Sequence, residues 1–507
     1  MNSDVLPFET ESVIDPKRLL EWLPKDLFIG GNWEPGTAGE RFEVLNPATG
    51  AALTQVASGN AADAQAALDK ACAIQPEWAA TPPRERGEIL RRAFTLMDGK
   101  YRRALAVTMT LEMGKPLAQA NGEVTYGAEF FRWFSEEACR VRGDYYRLPE
   151  GSLQAMVIKR PVGPCVFITP WNFPLAMGTR KIGPAVAAGC VCVLKPARDT
   201  PLTALFLARI LEEAGLPAGV LSVVPTLHSG EVSDTWLHDQ RVRKLSFTGS
   251  TEVGKALLKT AADSVLRTSM ELGGNAPFVV FDDADVDRAV DAALITKMRN
   301  MGEACNAADH FFIQDGVYDE FVTKFAAAMR AQKVGDGMSE VVDVGPLINR
   351  SQLEKVRTMV DKALAQGAEK VGGTGNLDPQ TVDPGGFYYP PTVLTNVSPD
   401  SEIVTEEIFG PVAPVVPFRT EEELVRMVNA DRMGLGGYVH TSSWERILRL
   451  AQRIEIGMIG FNSATISNAG APFGGVKQSG LGREGSTEGI EEYLETIYIG
   501  LPAPKLE

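Results

Sequence analysis

CVFITPWNFPLAMGTRKIGPAVAAGCVCVLKP, residues 165–196, decides the fold. A short β-rich run at 165–168 stops at a proline-bounded turn, Thr169-Pro-Trp-Asn-Phe-Pro174. Residues 175–188 then read as a helix, and 191–194 form a second apolar run. Short apolar runs between Gly and Pro punctuation read as buried strands. The pattern continues through a helix at 202–214, strands at 220–224 and 244–247, a helix at 251–262 and a strand at 268–272. Strand starts near 165, 191, 220, 244 and 268 are the rhythm of βαβ units in one parallel sheet. Right-handed crossovers would place helices on its faces. Ligands would then lie beyond the carboxyl ends of the strands.

Outward from this core, residues 61–77, 84–103 and 124–140 carry apolar residues at helical spacing. A helix opens the stretch 283–342, and strands and helices alternate again over 343–450. Residues 378–391 read as loop, and Gly372-Gly-Thr-Gly375 as a turn. The tail at 490–501 alternates as a strand and could pair with a β-like segment at 152–159. The 507 residues suit about three domains. A net charge of −15 argues against a nucleic-acid partner, which would call for a basic surplus. No apolar run reaches the roughly 18 residues of a membrane span, and the start lacks a signal-peptide pattern. Six cysteines without a CxxC pair, and four scattered histidines, predict neither a disulfide framework nor a metal site. A cytoplasmic location is expected.

Several residues could carry chemistry. Cys305, in Met301-Gly-Glu-Ala-Cys-Asn-Ala307, is a potential thiolate nucleophile, although a lone cysteine is more often structural. Glu271 ends the fifth strand in Ser269-Met-Glu-Leu-Gly-Gly-Asn275. A partly buried carboxylate there has the raised pKa of a general base, and a structural pairing with an arginine is the alternative. Asn172 offers amide donors that suit an oxyanion, or equally an Asx turn. Lys195 and Arg198, after the second strand, stand where a nucleotide ribose and its phosphate would lie. Gly249 and Gly254 bracket the start of the next helix, whose N-terminus attracts phosphate. No GxGxxG fingerprint is present.

Taken in this order and spacing, the motifs resemble those of the aldehyde dehydrogenase superfamily over essentially the whole chain. The matching blocks are Thr169-Pro-Trp-Asn-Phe-Pro174, Leu194-Lys-Pro196, Phe247-Thr-Gly-Ser-Thr-Glu-Val-Gly254, Met270-Glu-Leu-Gly-Gly-Asn275, the segment 302–305, Glu407-Ile-Phe-Gly-Pro411 and Pro472-Phe-Gly-Gly475. Within the superfamily the chain is most similar to the succinate-semialdehyde dehydrogenases. That likeness rests on Leu111-Glu-Met-Gly-Lys-Pro116, Met177-Gly-Thr-Arg-Lys181, Met298-Arg-Asn300 and the stretch 473–485.

The resemblance implies an α/β fold with three parts. They are a Rossmann-type dinucleotide-binding domain (1–140 and 162–273), an α/β catalytic domain (274–476) and a small β bridging and oligomerisation element (141–161 and 477–507). It implies oxidation of an aldehyde to an acid through a thioester on Cys305, with Glu271 activating water and Asn172 holding the oxyanion. Thr169, Pro170, Trp171, Lys195, Ala197, Arg198, Thr248, Gly249, Ser250, Gly254, Leu272, Glu407 and Phe409 would line an NAD(P) site. NADP is expected over NAD, because Arg198 stands where NAD-preferring relatives often carry a Glu. Arg180, Arg299 and Ser467 would hold a distal carboxylate, with Phe473 as a tunnel wall. Succinic semialdehyde is the expected substrate, and another ω-oxo acid such as glutaric semialdehyde is the alternative. A CoA-acylating enzyme, or a family member without turnover, fits less well with Glu271, Cys305 and Asn172 all present. A homodimer or homotetramer is expected.

Three positions depart from the family pattern. Glu303 stands where Gln is usual, and Asp309-His310 where Asn-Arg is usual. His310 lacks the donor fork of an arginine, so the nucleophile loop must be held another way. Ala307, two residues beyond Cys305, excludes a neighbouring-cysteine redox switch.

Overall fold

The structure is a computed structural model that describes residues 14–372, 377–378 and 380–504. The expected turn at Gly372-Gly-Thr-Gly375 falls mostly outside the described residues, as do the first thirteen residues of the expected cofactor domain.

The apolar runs form strands that are buried on both faces. Cys165–Ile168, Cys192–Lys195 and Lys244–Thr248 are buried throughout. They belong to an eight-stranded sheet. Its spatial order is Gly480–Leu481, Arg267–Glu271, Lys244–Thr248, Cys165–Ile168, Cys192–Lys195, Leu221–Val223, Leu27–Ile29, Asn32–Glu34. The five central strands are parallel. From Cys165–Ile168 the chain steps outward to Cys192–Lys195 and Leu221–Val223, then crosses back to Lys244–Thr248 on the other side. That reversal is a topological switch point, and the loops leaving the two strands beside it form the ligand crevice. They are Thr169–Asn172 and Thr248–Ser250.

A second, seven-stranded sheet runs Glu369–Gly372, Thr392–Thr395, Val412–Phe418, Ala308–Gln314, Ala276–Val280, Gly436–His440, Met458–Phe461. It is parallel except at its first pair. Each sheet has its own apolar core: one gathers residues up to Leu272 together with Ala469, Ile490, Tyr493 and Leu494, the other mainly residues from Ala276 to Ile454. The tail strand Leu494–Pro502 pairs antiparallel with Leu153–Pro161, which pairs with Asp144–Arg147. This small sheet leaves Tyr145, Tyr146 and Tyr498 exposed.

The structure departs from the sequence reading in several places. The single helix expected over 84–103 is two, Pro83–Asp98 and Arg102–Met113, broken at Gly99, a residue that stabilises no helix interior. A helix at Ser229–Leu237 and the strand Ala276–Val280 were not anticipated. The bridging element expected from residue 477 does not begin there: Gly480–Leu481 closes the edge of the first sheet, antiparallel to Met270–Glu271. Among the described residues no helix is long and apolar enough to cross a membrane.

Candidate active site

Cys305 sits between the two sheets, on the loop joining the helix Val286–Met298 to the strand Ala308–Gln314. The loop turns sharply: Asn300, Met301 and Gly302 have φ of 55°, 56° and 78°. A Cβ on Gly274 would lie 2.0 Å from the Cys305 carbonyl oxygen, so only glycine lets the Glu271-Leu-Gly-Gly turn meet the loop. Burial pushes the Cys305 thiol up to about 12; Arg180 opposes this, and Glu271 and Glu407 add to it. At rest the group is a thiol, and its proton needs an acceptor.

Glu271, whose charge acts on Cys305, is the candidate acceptor. It ends its strand 3% exposed, and neither carboxylate oxygen has a hydrogen-bond partner among the described residues. Burial, reinforced by Glu484, holds its pKa well above the ordinary carboxylate range; Arg180, Lys181 and Arg483 act in the opposite sense. A buried carboxylate without partners is costly unless a ligand or water uses it. The structural pairing with an arginine, considered above as the alternative, is not made by hydrogen bond or ion pair among the described residues.

Asn172 follows the Cys165–Ile168 strand and is buried. Its Oδ1 accepts from Phe173 N (3.1 Å) and its Nδ2 donates to Glu303 O (3.1 Å), which leaves one amide hydrogen unused. Its own carbonyl accepts from Lys115 Nζ (2.8 Å) and Asn300 Nδ2 (3.0 Å). Lys115 is fully buried and ion-paired with Glu123. Glu123 in turn accepts from Leu175 N and Ala176 N at the start of the next helix. The sequence reading quoted the motif holding Lys115 without giving that residue a role, and nothing in the spacing points to Glu123.

A cavity of about 250 Å³ opens beside Cys305 and Asn172. Of the expected cofactor residues it is lined by Pro170, Trp171, Thr248, Gly249, Ser250, Leu272, Glu407 and Phe409. Thr169, Lys195, Ala197, Arg198 and Gly254 lie outside it, around the neighbouring strand ends and helix. The residues fit a nicotinamide dinucleotide. Thr248 Oγ1 is buried without a hydrogen-bond partner among the described residues. Ser250 caps the helix Thr251–Asp263, whose first N–H groups suit phosphate. A Cβ on Gly254 would meet Leu272 at 2.3 Å, so glycine brings that helix close. Lys195 is buried, with Ser229 Oγ 3.4 Å away, and burial lowers its pKa to about 8. Arg198 is exposed, and its nearest countercharge is Asp199 at 3.8 Å.

Glu407 accepts from Gly274 N (3.1 Å), and burial raises its pKa to about 7. Phe409 packs edge-on against Trp171, ring centroids 5.4 Å apart. Two residues the sequence reading missed brace this segment. Lys355 Nζ donates to Glu407 O (2.8 Å) and Gln352 Nε2 to Phe409 O (2.6 Å). Both also line the cavity, yet they sit on a helix, Arg350–Ala365, that carries no motif.

The four expected substrate residues have different surroundings. Arg180 is 1% exposed, with Nε 2.5 Å from Glu484 Oε2, and it lies 4.0 Å over the Phe473 ring. Lys181 holds the other Glu484 oxygen at 2.6 Å. Arg180 thus carries a structural ion pair. Arg299 is half-buried over the rings of Phe173 (5.2 Å) and Tyr126 (5.6 Å), and its guanidinium has no hydrogen bond or ion pair among the described residues. Ser467 Oγ accepts from Asn306 Nδ2 at 3.0 Å, which joins its loop to the nucleophile loop. Phe473 is buried in a small cluster against which Cys305 packs.

Comparison with known proteins agrees with this geometry. The model of the aldehyde dehydrogenase family matches residues 33–499. A succinate-semialdehyde dehydrogenase of Paenarthrobacter nicotinovorans is 55% identical over 452 residues, 89% of this chain and 99% of that protein. A glutarate-semialdehyde dehydrogenase of Pseudomonas putida is 45% identical over 472 residues, covering 93% and 96%. The crystal structure of an E. coli NADP-dependent enzyme superposes with a TM-score of 0.92 at 44% identity, covering 95% of this chain and 98% of that one. The chain belongs to the aldehyde dehydrogenase family and is an NAD(P)-dependent oxidoreductase acting on an aldehyde.

Proposed function

We propose that the enzyme oxidises short ω-oxo acids, succinic semialdehyde first among them, to dicarboxylates, and that it prefers NADP. The observation that carries the substrate reading is Arg299, a half-buried cation whose charge acts on Cys305 and whose guanidinium has no ion pair among the described residues. A carboxylate at the far end of the aldehyde satisfies it with charge-assisted hydrogen bonds. Ser467 adds a hydroxyl and Phe473 an apolar wall. Arg180 contributes positive potential that Glu484 largely offsets. The name of the Paenarthrobacter relative supports a four-carbon substrate, and that of the Pseudomonas relative supports glutaric semialdehyde as the second reading.

In this reading Glu271 takes the thiol proton of Cys305, and the thiolate attacks the aldehyde carbon. The amide of Asn172 and the backbone N–H of Cys305 receive the oxyanion. Thr248, Lys195, Arg198 and the helix capped by Ser250 hold the dinucleotide, and Glu407 and Phe409 its nicotinamide end. The bound cofactor supplies the hydride acceptor. Oxidation leaves a thioester on Cys305. Glu271, having passed the thiol proton to solvent, then removes a proton from water, which hydrolyses the thioester to the acid, and the proton returns to the released sulfur. The segments 1–140 and 162–273 serve the cofactor, and 274–476 the chemistry. The exposed tyrosines of the tail sheet suit an interface with a second copy, as dimer or tetramer. Six free thiols suit a reducing cytoplasm.

The test is a panel of aldehydes of graded length, with and without a terminal carboxylate, against both cofactors, following reduced cofactor without added CoA. The highest kcat/KM should fall on succinic semialdehyde with NADP. A maximum on an uncharged aldehyde refutes the substrate reading, and a higher value with NAD refutes the cofactor reading.

A further inference from the structure

Asn172, Asn300 and Glu303 form a closed ring of hydrogen bonds. Asn300 Nδ2 donates to Asn172 O (3.0 Å) and to Glu303 O (2.8 Å). Glu303 O also accepts from Asn172 Nδ2 (3.1 Å). An amide nitrogen has two hydrogens and a carbonyl oxygen two lone pairs. Both hydrogens of Asn300 are used, and so are both lone pairs of the Glu303 carbonyl. The carbonyl of Asn172 is equally full, because Lys115 Nζ supplies its second donor at 2.8 Å. Of the two side-chain amides in the ring, the one hydrogen left over is on Asn172, the hydrogen an oxyanion needs.

Asn300 is built for this place. It is 1% exposed and left-handed, a conformation asparagine tolerates better than most residues. Its backbone N–H is held by Gln119 Oε1 at 2.5 Å. Its Oδ1 is buried with no partner among the described residues, so the orientation of the amide is set by what its nitrogen donates to.

We propose that Asn300 is a positioning residue of the oxyanion hole: by bridging the carbonyls of Asn172 and Glu303, it fixes the Asn172 amide against the nucleophile loop. The proposal rests on the reading of Asn172 as oxyanion donor. It acts at a distance of one hydrogen bond, and its effect passes through Asn172.

A double-mutant cycle on the full-length enzyme tests it, with kcat measured at saturating aldehyde and cofactor. Asn300→Asp keeps size and tolerance of the left-handed backbone but replaces the donating nitrogen with oxygen. Asn172→Ala should lower kcat by about 10²–10³-fold, the loss of one oxyanion donor. Asn300→Asp should lower it by about 10²-fold, the effect of a misplaced group. The double variant should lie within about threefold of Asn172→Ala alone, because contacting residues that act as a unit are not additive. Cofactor affinity by fluorescence titration should stay within about twofold in all three, since kcat rather than binding is affected. A loss in the double variant equal to the product of the single losses overturns the proposal, as does an Asn300→Asp enzyme of unchanged kcat. Full kcat in Asn172→Ala overturns the donor reading itself. If Asn300→Asp does not fold, Asn300→Gly, at ease at this φ, takes its place in the same cycle with the same outcomes.

Discussion

Replacing Arg299 separates recognition of the substrate's charge from the chemistry. Its guanidinium has no ion pair among the described residues and rests on two aromatic faces, Phe173 and Tyr126. Arg180, by contrast, is already paired with Glu484. On the proposed reading, the carboxylate of succinic semialdehyde gains its main charge-assisted contact from Arg299. A hydrogen bond to a charged group contributes about 1.5–3 kcal/mol, which converts to roughly 10- to 150-fold. Wild-type kcat/KM for succinic semialdehyde should exceed that for butanal by at least about tenfold. Arg299→Ala should remove most of that ratio, whereas butanal should lose less than about threefold, the share of aromatic packing. Arg299→Lys should lie between, because it keeps charge and loses the fork. The assay is initial-rate kinetics for both aldehydes at saturating cofactor. Equal wild-type kcat/KM for the two aldehydes refutes the carboxylate pocket. So does an Arg299→Ala enzyme that loses both activities in the same proportion.

Other expectations follow from the same geometry. Cys305→Ala should abolish oxidation while cofactor still binds, and steady-state activity in that variant ends the nucleophile reading. Glu271→Gln should release about one reduced cofactor per site in a slowed burst and then turn over at least about 10²-fold more slowly, as expected on losing a general base; unchanged steady-state turnover would contradict it. Arg198→Glu should move the cofactor preference towards NAD, since a carboxylate repels a 2′-phosphate that an exposed arginine grips; an unaltered ratio of kcat/KM values counts against that role. Lys195 is protonated below its pKa of about 8 and neutral above it. Cofactor affinity should accordingly weaken as pH rises through that value, and Lys195→Met should flatten the profile. A wild-type titration already flat across this range would exclude the charge of Lys195 from binding.

The strands of the first sheet were legible because they are short, apolar and evenly spaced. The Cys165–Ile168 strand has the bounds its apolar run predicts, and the others shift by a residue or two. The helix Ser229–Leu237 was not legible because only Val232, Ser233, Trp236 and Leu237 are buried in a polar nine-residue stretch. The site follows the same division. Cys305, Glu271 and Asn172 announce themselves through local context: a strand end, a glycine pair, two prolines. Their supports do not, because those come from remote parts of the chain. Lys181 and Glu484 are 303 residues apart, and Asn172 meets Lys115 across 57. No periodicity encodes such contacts. Arg180 shows the consequence: the sequence offers two equivalent arginines, and only the distant Glu484 makes them different.

The same remote supports account for the positions where this chain departs from its family. Burial holds the carboxyl of Glu303 well above the ordinary range. Its Oε1 accepts from Ile348 N at 3.1 Å, a contact that the oxygen of a glutamine makes equally well. Glu and Gln are close to isosteric, so either keeps this anchor of the nucleophile loop. Asp309 is matched by Lys297 at 2.7 Å, and its other oxygen accepts from Ile408 N at 3.2 Å, joining the strand after the nucleophile to the segment that carries Glu407 and Phe409. His310 Nδ1 meets Val404 O at 3.1 Å, and burial lowers its pKa, keeping it neutral. The fork of an arginine is not needed to hold the loop. Tyr438 O–H donates to Asn306 O at 2.9 Å, Asn306 to Ser467, and Asn300 closes the ring on Asn172. These anchors grip the loop on both sides of Cys305 and precede the strand on which Asp309 and His310 lie. Variation beyond them leaves the sulfur where the aldehyde requires it.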